Sequence, residues 1–520
     1  MRSRHSPSAE RPRRVGLAAT LLVTMSGCAT RELSRAPASP SQPWIVSEDS
    51  EDVKALRQVA RADEPSRPGA EGRGATPAST RPGVPPDVAS AENRITVDAG
   101  RTYGLAELID LAQRHHPETR EAWEQARQAA LAVGLTETAY LPELSALVVA
   151  GVQHTPLPIP KNLVPAGYFT TDTLELLPML SARWLLLDFG QREGRVRAAT
   201  AKSFVANVAF TGAHEKLIYT VSRNYFALGA ARAHVRVAER AIKNAELAQD
   251  ISETRQAQGL ATVVETAQAR RQTAQARFNL VRASGAERIQ YSALVASMGV
   301  DPSGPIAVAD TSDRPLPAAQ MQDVRALVEE ATVRRPDVLA ALGNVRAAEA
   351  NLRSERATYW PKVAITGQVY QNVGALSTSG SQYYTVNNPG ANALLGLEWP
   401  IFDGGAREAR VATASSEVSA ARAALDGARD RAAEEVTTAY DQLQTSFAEY
   451  QAAVIVEQTA TTALDAALDA YRTGVGPLTD VITSDNGLSE AQSEKETARA
   501  NVFTAAAALA FATGSISSRR

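Results

Sequence analysis

The chain is poor in the residues that most often announce a chemistry. One cysteine in 520 residues rules out an internal disulfide framework. His5, His115, His116, His154, His214 and His234 fall at no metal-ligand spacing. No nucleophile motif stands out either, so no catalytic residue, metal or cofactor is expected. A net charge of −3 without a basic patch gives nucleic acid nothing to hold. Aromatic residues make up only 5% of the chain, whereas alanine is abundant and favours long helices. No run of 18 or more apolar residues follows position 30, so any membrane crossing by the body of the chain must be made by strands.

The N-terminus has its own pattern. Arg2, Arg4, Arg11, Arg13 and Arg14 precede or abut a short apolar stretch at 15–25, the layout of an export signal. The stretch ends in Met25-Ser26-Gly27-Cys28, which resembles the lipobox of bacterial lipoproteins. Residues 1–27 are therefore expected to be removed and Cys28 to carry lipid, with Ala29 behind it resembling the outer-membrane address. From 28 to 100 the chain is rich in proline, serine, alanine, glycine and charge, too polar to offset its ordering entropy. The expectation is a flexible lipidated tether, with one short helix near 51–61.

The rest is a duplication, 101–300 and 323–515, joined by a linker at 301–322. Trp184, Asp188, Gly190, Arg192 and Tyr225 recur 215 residues later as Trp399, Asp403, Gly405, Arg407 and Tyr440. A period near 200 residues is too long for a solenoid, so each copy is a subdomain. Both copies open with helices, 105–115 and 324–334, that end before Pro117 and Pro336 and restart. Then the period changes to two. Leu144, Ala146, Val148, Ala150 and Val152, then Leu180, Ala182, Trp184 and Leu186, alternate with other residues in copy one. Val363, Ile365, Gly367 and Val369, then Ala393, Leu395, Leu397, Trp399 and Ile401, do so in copy two. Such alternation over about ten residues is that of a tilted membrane strand, with loops expected at 154–175 and 372–390. It puts both tryptophans with the lipid-facing set and turns Arg183 and Glu398 toward a lumen.

Asp188 and Asp403 are expected to cap the helices that follow, with Gly190 and Gly405 permitting the bend. Those helices keep an apolar spacing of threes and fours for about 65 residues, or about 100 Å. Gly259 and Gly474 then reverse the chain. Four membrane strands leave two open edges, and bacterial barrels need at least eight strands. Dimers would supply eight, trimers twelve and tetramers sixteen.

Taken together, these features resemble the TolC-like outer-membrane efflux proteins, in layout the lipidated OprM and NodT branch. The duplication, both Asp-x-Gly-x-Arg turns, Arg334-Arg335-Pro336-Asp337 and the run Tyr471-Arg-Thr-Gly474 to Asp480-Val-Ile carry the resemblance. It implies a mainly helical fold with membrane strands: a homotrimer, a twelve-stranded barrel in outer-membrane lipid, a periplasmic helical barrel and a mixed α/β belt partly from 301–322. It further implies a passive exit duct for drugs, metals or other solutes, served by a periplasmic adaptor and an inner-membrane pump of RND type. The adaptor would dock at the turns of Gly259, Leu260, Gly474 and Val475. Tyr471 and Asp480 match the family's constriction residues, while Gly476 and Thr483 replace an arginine and an aspartate of TolC, which implies a weaker latch. Two alternatives stay open on the sequence: the outer-membrane channel of a protein secretion system, and a coiled-coil envelope lipoprotein without a transport role.

Overall fold

The structure, a computed structural model, describes residues 33–44, 101–300, 306–318 and 323–517. Cys28, the export signal, the helix expected near 51–61 and parts of the linker lie outside the described residues. Each copy contributes two short helices, a β-hairpin and a long helical hairpin. They are α1 (Leu105–His115), α2 (Pro117–Glu137), α3 (Gln191–Ala257) and α4 (Val263–Ser297) in copy one, and α5 (Val324–Arg334), α6 (Pro336–Ala357), α7 (Ala406–Thr473) and α8 (Leu478–Ala512) in copy two. Strands β1 (Thr102–Tyr103) and β4 (Ala307–Val308) pair in parallel, and the others are β2 (Glu143–Pro158), β3 (Tyr168–Leu187), β5 (Lys362–Thr378) and β6 (Tyr384–Glu398). Among the described residues no helix is long and apolar enough to cross a membrane.

The chain forms two compact units. One holds residues 129–203 and 343–422 and contains a four-stranded antiparallel sheet, ordered β2-β3-β5-β6. Its register sets Leu144, Ala182, Gly367 and Ala393 in one row across the strands. Trp184, Ile365 and Leu395 lie in the next row on the same face. Apolar residues of all four strands thus gather on one face, with Val148, Leu180, Val369 and Leu395 exposed within the chain, although Leu147, Val149 and Leu394 lie on the opposite one. Arg183 and Glu398 fall on the other face, where Glu143 stands opposite Arg183 and Lys362 opposite Glu398. Opposite charges directly across a ladder favour this register over a slip.

The strands are longer than the alternation indicates. They run 16, 20, 17 and 15 residues, so the connections shrink to 159–167 and 379–383. Beyond the apolar band polar residues occupy both faces beside scattered apolar ones such as Leu157, Phe169 and Val373, which erases the alternation without ending the ladder. Pro156 and Pro158 are tolerated because β2 is an edge strand. Pro178 lies in the interior strand β3, and there the ladder to β5 skips Leu177 and Pro178, as a residue without an N–H requires.

The second unit holds 34–128, 204–342 and 423–517 among its described residues. Its core joins the copies: Phe226 of α3 stacks on Phe503 of α8 with ring centres 4.8 Å apart, and Tyr219 stacks on Phe511 at 5.2 Å. Arg335, ahead of α6, forks onto Asp337 at 2.9 and 2.8 Å and reaches Glu435 of α7 at 2.6 Å. Burial disfavours the ionised Asp337, yet Arg335 outweighs it and holds the carboxyl below its ordinary value.

Residues 33–44 depart from the expected flexible tether. Asn207 donates to the Arg35 carbonyl at 2.7 Å, Trp123 to that of Pro37 at 2.9 Å and Thr211 to that of Trp44 at 2.6 Å. His214, fully buried, donates from Nε2 to Pro40 O at 3.1 Å. Burial lowers this imidazole to about 4, although the Pro40 bond works the other way, so it is neutral near pH 7. The Trp44 ring meets Phe204 edge-on at 5.8 Å. The segment is held mainly by its main-chain carbonyls, which any composition supplies.

Candidate functional site

Two places concentrate the residues singled out by the sequence: the strand-to-helix turns and the tips of the long hairpins. At the first turn Asp188 Oδ2 accepts from the backbone N of Arg192 at 2.8 Å and from its Nε at 3.0 Å. The Arg192 guanidinium then reaches the carbonyls of Ala139, Leu185 and Leu186 at 3.0, 2.7 and 3.0 Å and lies 4.7 Å from the Tyr140 ring centre. Gly190, at φ 100°, makes the bend. Copy two repeats the clasp with Asp403 and Arg407 at 3.1 and 3.0 Å, and Gly404 and Gly405 at φ 68° and 87°. Asp188 and Asp403 each lie two residues ahead of the N-cap glycine and accept one first-turn N–H of the helix that follows. The arginine is the part that sequence reasoning left without a role, although its recurrence 215 residues on was a signal. Beside each turn a tryptophan Nε1 donates to a tyrosine carbonyl, Trp184 to Tyr140 at 2.9 Å and Trp399 to Tyr359 at 3.0 Å.

The tips are two matching reversals. Gly259 at φ 75° and Gly474 at φ 81° end α3 and α7. The next N–H reaches five residues back, Leu260 to Arg255 at 2.8 Å and Val475 to Ala470 at 2.9 Å, the bonding of a Schellman motif. Leu260, Val263, Val264 and Val475 are exposed around these turns.

Beyond the glycines the tips differ. In copy one Thr262 caps α4 and Glu265 closes a capping box, with bonds of 3.2 and 3.1 Å. The same two positions in copy two are Pro477 and Asp480. Proline has no N–H for the reciprocal bond, which leaves the Asp480 carboxylate exposed in the first turn of α8. Tyr471 does not project beside it. Its side chain is 1% exposed, packed among Ala248, Leu464, Leu478 and Val481. Arg255 of α3 covers the ring at 5.0 Å and donates to the Tyr471 carbonyl at 2.8 Å. This bridge between hairpins was not legible in the sequence. The Tyr471 hydroxyl and Arg255 Nε are buried without partners. Among the described residues no group of three or more histidine, cysteine or acidic side chains is placed to hold a metal ion.

The protein-family model described as outer membrane efflux protein matches residues 108–300 and 327–515. Protein CyaE of Bordetella pertussis is 27% identical over 414 residues, 79% of this chain and 84% of CyaE. Outer membrane protein OprJ of Pseudomonas aeruginosa is 27% identical over 288 residues, 55% of this chain and 59% of OprJ. Among solved structures, the outer membrane protein VceC of Vibrio cholerae superposes with a TM-score of 0.64 at 20% identity, covering 79% of this chain and 96% of VceC. That likeness extends to the fold.

Proposed function

The chain belongs to the outer membrane efflux protein family, and from that premise we propose that it is the outer-membrane exit duct of a tripartite efflux system. The observation that carries the reading is the sheet: one face rich in exposed apolar side chains, an opposite face that bears Glu143, Arg183, Lys362 and Glu398, and two unpaired edges, β2 and β6. Each unsatisfied edge group costs several kcal/mol in hydrocarbon, by the order-of-magnitude cost of burying backbone unpaired. The edge strands run in opposite directions, so copies can join β6 to β2 antiparallel. Three copies close roughly twelve strands, an even number within the range of bacterial barrels. The face with Arg183 and Glu398 lines the lumen, and the face rich in apolar side chains meets lipid.

The duct is passive. A pump of the inner membrane supplies energy and a periplasmic adaptor docks on the exposed Leu260, Val264 and Val475. Asp480 carboxylates from three copies ring the axis, repelling one another and favouring cations, while Tyr471 acts from inside each tip as the post that Arg255 grips. In a diderm host lacking its own exit duct but retaining a pump and adaptor, expression should restore tolerance to the pump's toxic solutes. Sensitivity unchanged despite normal amounts in the outer membrane would reject the reading.

Two expectations follow for this assembly. Cysteines placed at Arg183 and Glu398 should react with a small charged thiol reagent, whereas cysteines at Leu395 and Leu397 should not; the reverse pattern would put the wrong face toward lipid. Cys28 should be the first residue of the mature chain, with intact mass showing a diacylglyceryl and an acyl group that Cys28→Ser removes. An unmodified Cys28 behind a retained signal would contradict it.

A further inference from the structure

Eleven residues before Arg255, or about 16 Å along α3, the hairpins meet a second time. Asn244 of α3 donates from Nδ2 to Asp485 Oδ1 of α8 at 2.9 Å. Gln272 of α4 donates to Asn486 Oδ1 at 2.8 Å. Asp485 is 4% exposed, with the Asn244 amide bonded to it and the Gln272 amide beside it. The charged groups of the surrounding helices turn away or are paired elsewhere. Arg270 and Arg277 of α4 go to Glu253 and Glu246 at 2.9 Å each, and Lys495 of α8 to Glu457 of α7 at 2.6 Å. Lys243, Arg271, Asp465, Asp469, Asp480 and Glu490 are exposed. The positions matching Asn244 and Asp485 in the other copy are Thr459 and Arg270, both exposed. The cluster therefore exists once per chain, on the seam where the first hairpin meets α8.

We propose that Asp485, with Asn244, Gln272 and Asn486, is a proton-sensitive clasp that positions the two hairpins against each other and holds the tip shut in acid. This rests on the reading of the chain as a duct. Burial raises the Asp485 carboxyl above its ordinary value, and the amides of Asn244 and Gln272 offset only part of that. Swinging the hairpins apart would hydrate Asp485 and return it to the ordinary carboxylate value, so opening is coupled to losing a proton. The sign follows: the raised group belongs to the shut state. Its stabilisation of that state is complete below the open-state value and is lost as pH rises through the shut-state value. Acid closes the tip and neutral pH loosens it.

The test uses full-length protein in planar bilayers across about pH 4 to 8, spanning the ordinary carboxylate value and above, in an Asp480→Asn background that removes the exposed carboxylates. Conductance of the parent should rise with pH. Asp485→Asn keeps the shape and the hydrogen bonds but not the titration, and should be shut and flat in pH. Asp485→Ala should be open throughout. Amide hydrogen exchange around 244 and 485, which needs no conduction, should lose its pH dependence beyond the intrinsic rate in Asp485→Asn. An Asp485→Asn protein with the parental pH profile in both readouts would overturn the clasp. Absence of conductance in every variant, with the exchange result intact, would instead reject the duct.

Discussion

Arg192→Ala should destabilise the folded chain by about 3–5 kcal/mol, the range for removing one partner of a buried ion pair. The side chains of Arg192 and Asp188 are 8% and 7% exposed, so the orphaned carboxylate has little water to turn to. The three carbonyls that the guanidinium reaches would lose a charged donor as well. Arg192→Lys should rescue little, because a single ammonium cannot serve a carboxylate and three carbonyls at once. The matching Arg407→Ala should cost less: Asp403 is 26% exposed and can be rehydrated. Thermal unfolding of the detergent-solubilised protein measures the series. An unchanged midpoint for Arg192→Ala would mean that the clasp does not hold the strand-to-helix turn.

The second large effect is expected at the tip. Arg255→Ala should raise single-channel conductance several-fold without lowering the amount of assembled protein, because it removes both contacts by which the first hairpin grips Tyr471. The charged hydrogen bond to the Tyr471 carbonyl is of the kind worth about 1.5–3 kcal/mol, and the guanidinium over the ring adds about 0.5–2 kcal/mol. A bridge with two buried polar atoms left unpaired is poised to break. Tyr471→Ala should raise conductance less than Arg255→Ala, because it removes the ring contact but keeps the main-chain carbonyl that accepts the Arg255 hydrogen bond. The double variant should add little to Arg255→Ala, since Arg255 makes both contacts. Asp480→Ala should act differently, reducing preference for cations more than it widens the passage. Parental conductance in Arg255→Ala and Tyr471→Ala would make the bridge a packing feature only.

Much of this was readable in the residues because local chemistry repeats. Duplication exposed the two Asp-x-Gly-x-Arg turns, and alternation placed Leu144, Ala182, Gly367 and Ala393 on one face, where the register puts them. Pro117 and Pro336 marked where α1 and α5 give way to α2 and α6. What escaped has no local signature. Arg255 and Tyr471 are 216 residues apart, and Asn244 and Asp485 are 241 apart, and nothing at either end names its partner. The segment 33–44 escaped for another reason: α2 and α3 hold its carbonyls, so its side-chain composition reports on tethers in general and not on the groove that receives it. Strand ends escaped because polar residues on both faces carry no period.

The central claim is that copies of this chain close a water-filled duct across the outer membrane. Native mass spectrometry of the detergent-extracted protein, with planar-bilayer recording of the same sample, tests it most directly. The account predicts a three-copy mass and a small, cation-preferring conductance that rises in Arg255→Ala. A monomer or dimer, or a trimer that conducts nothing even in that variant, would contradict it.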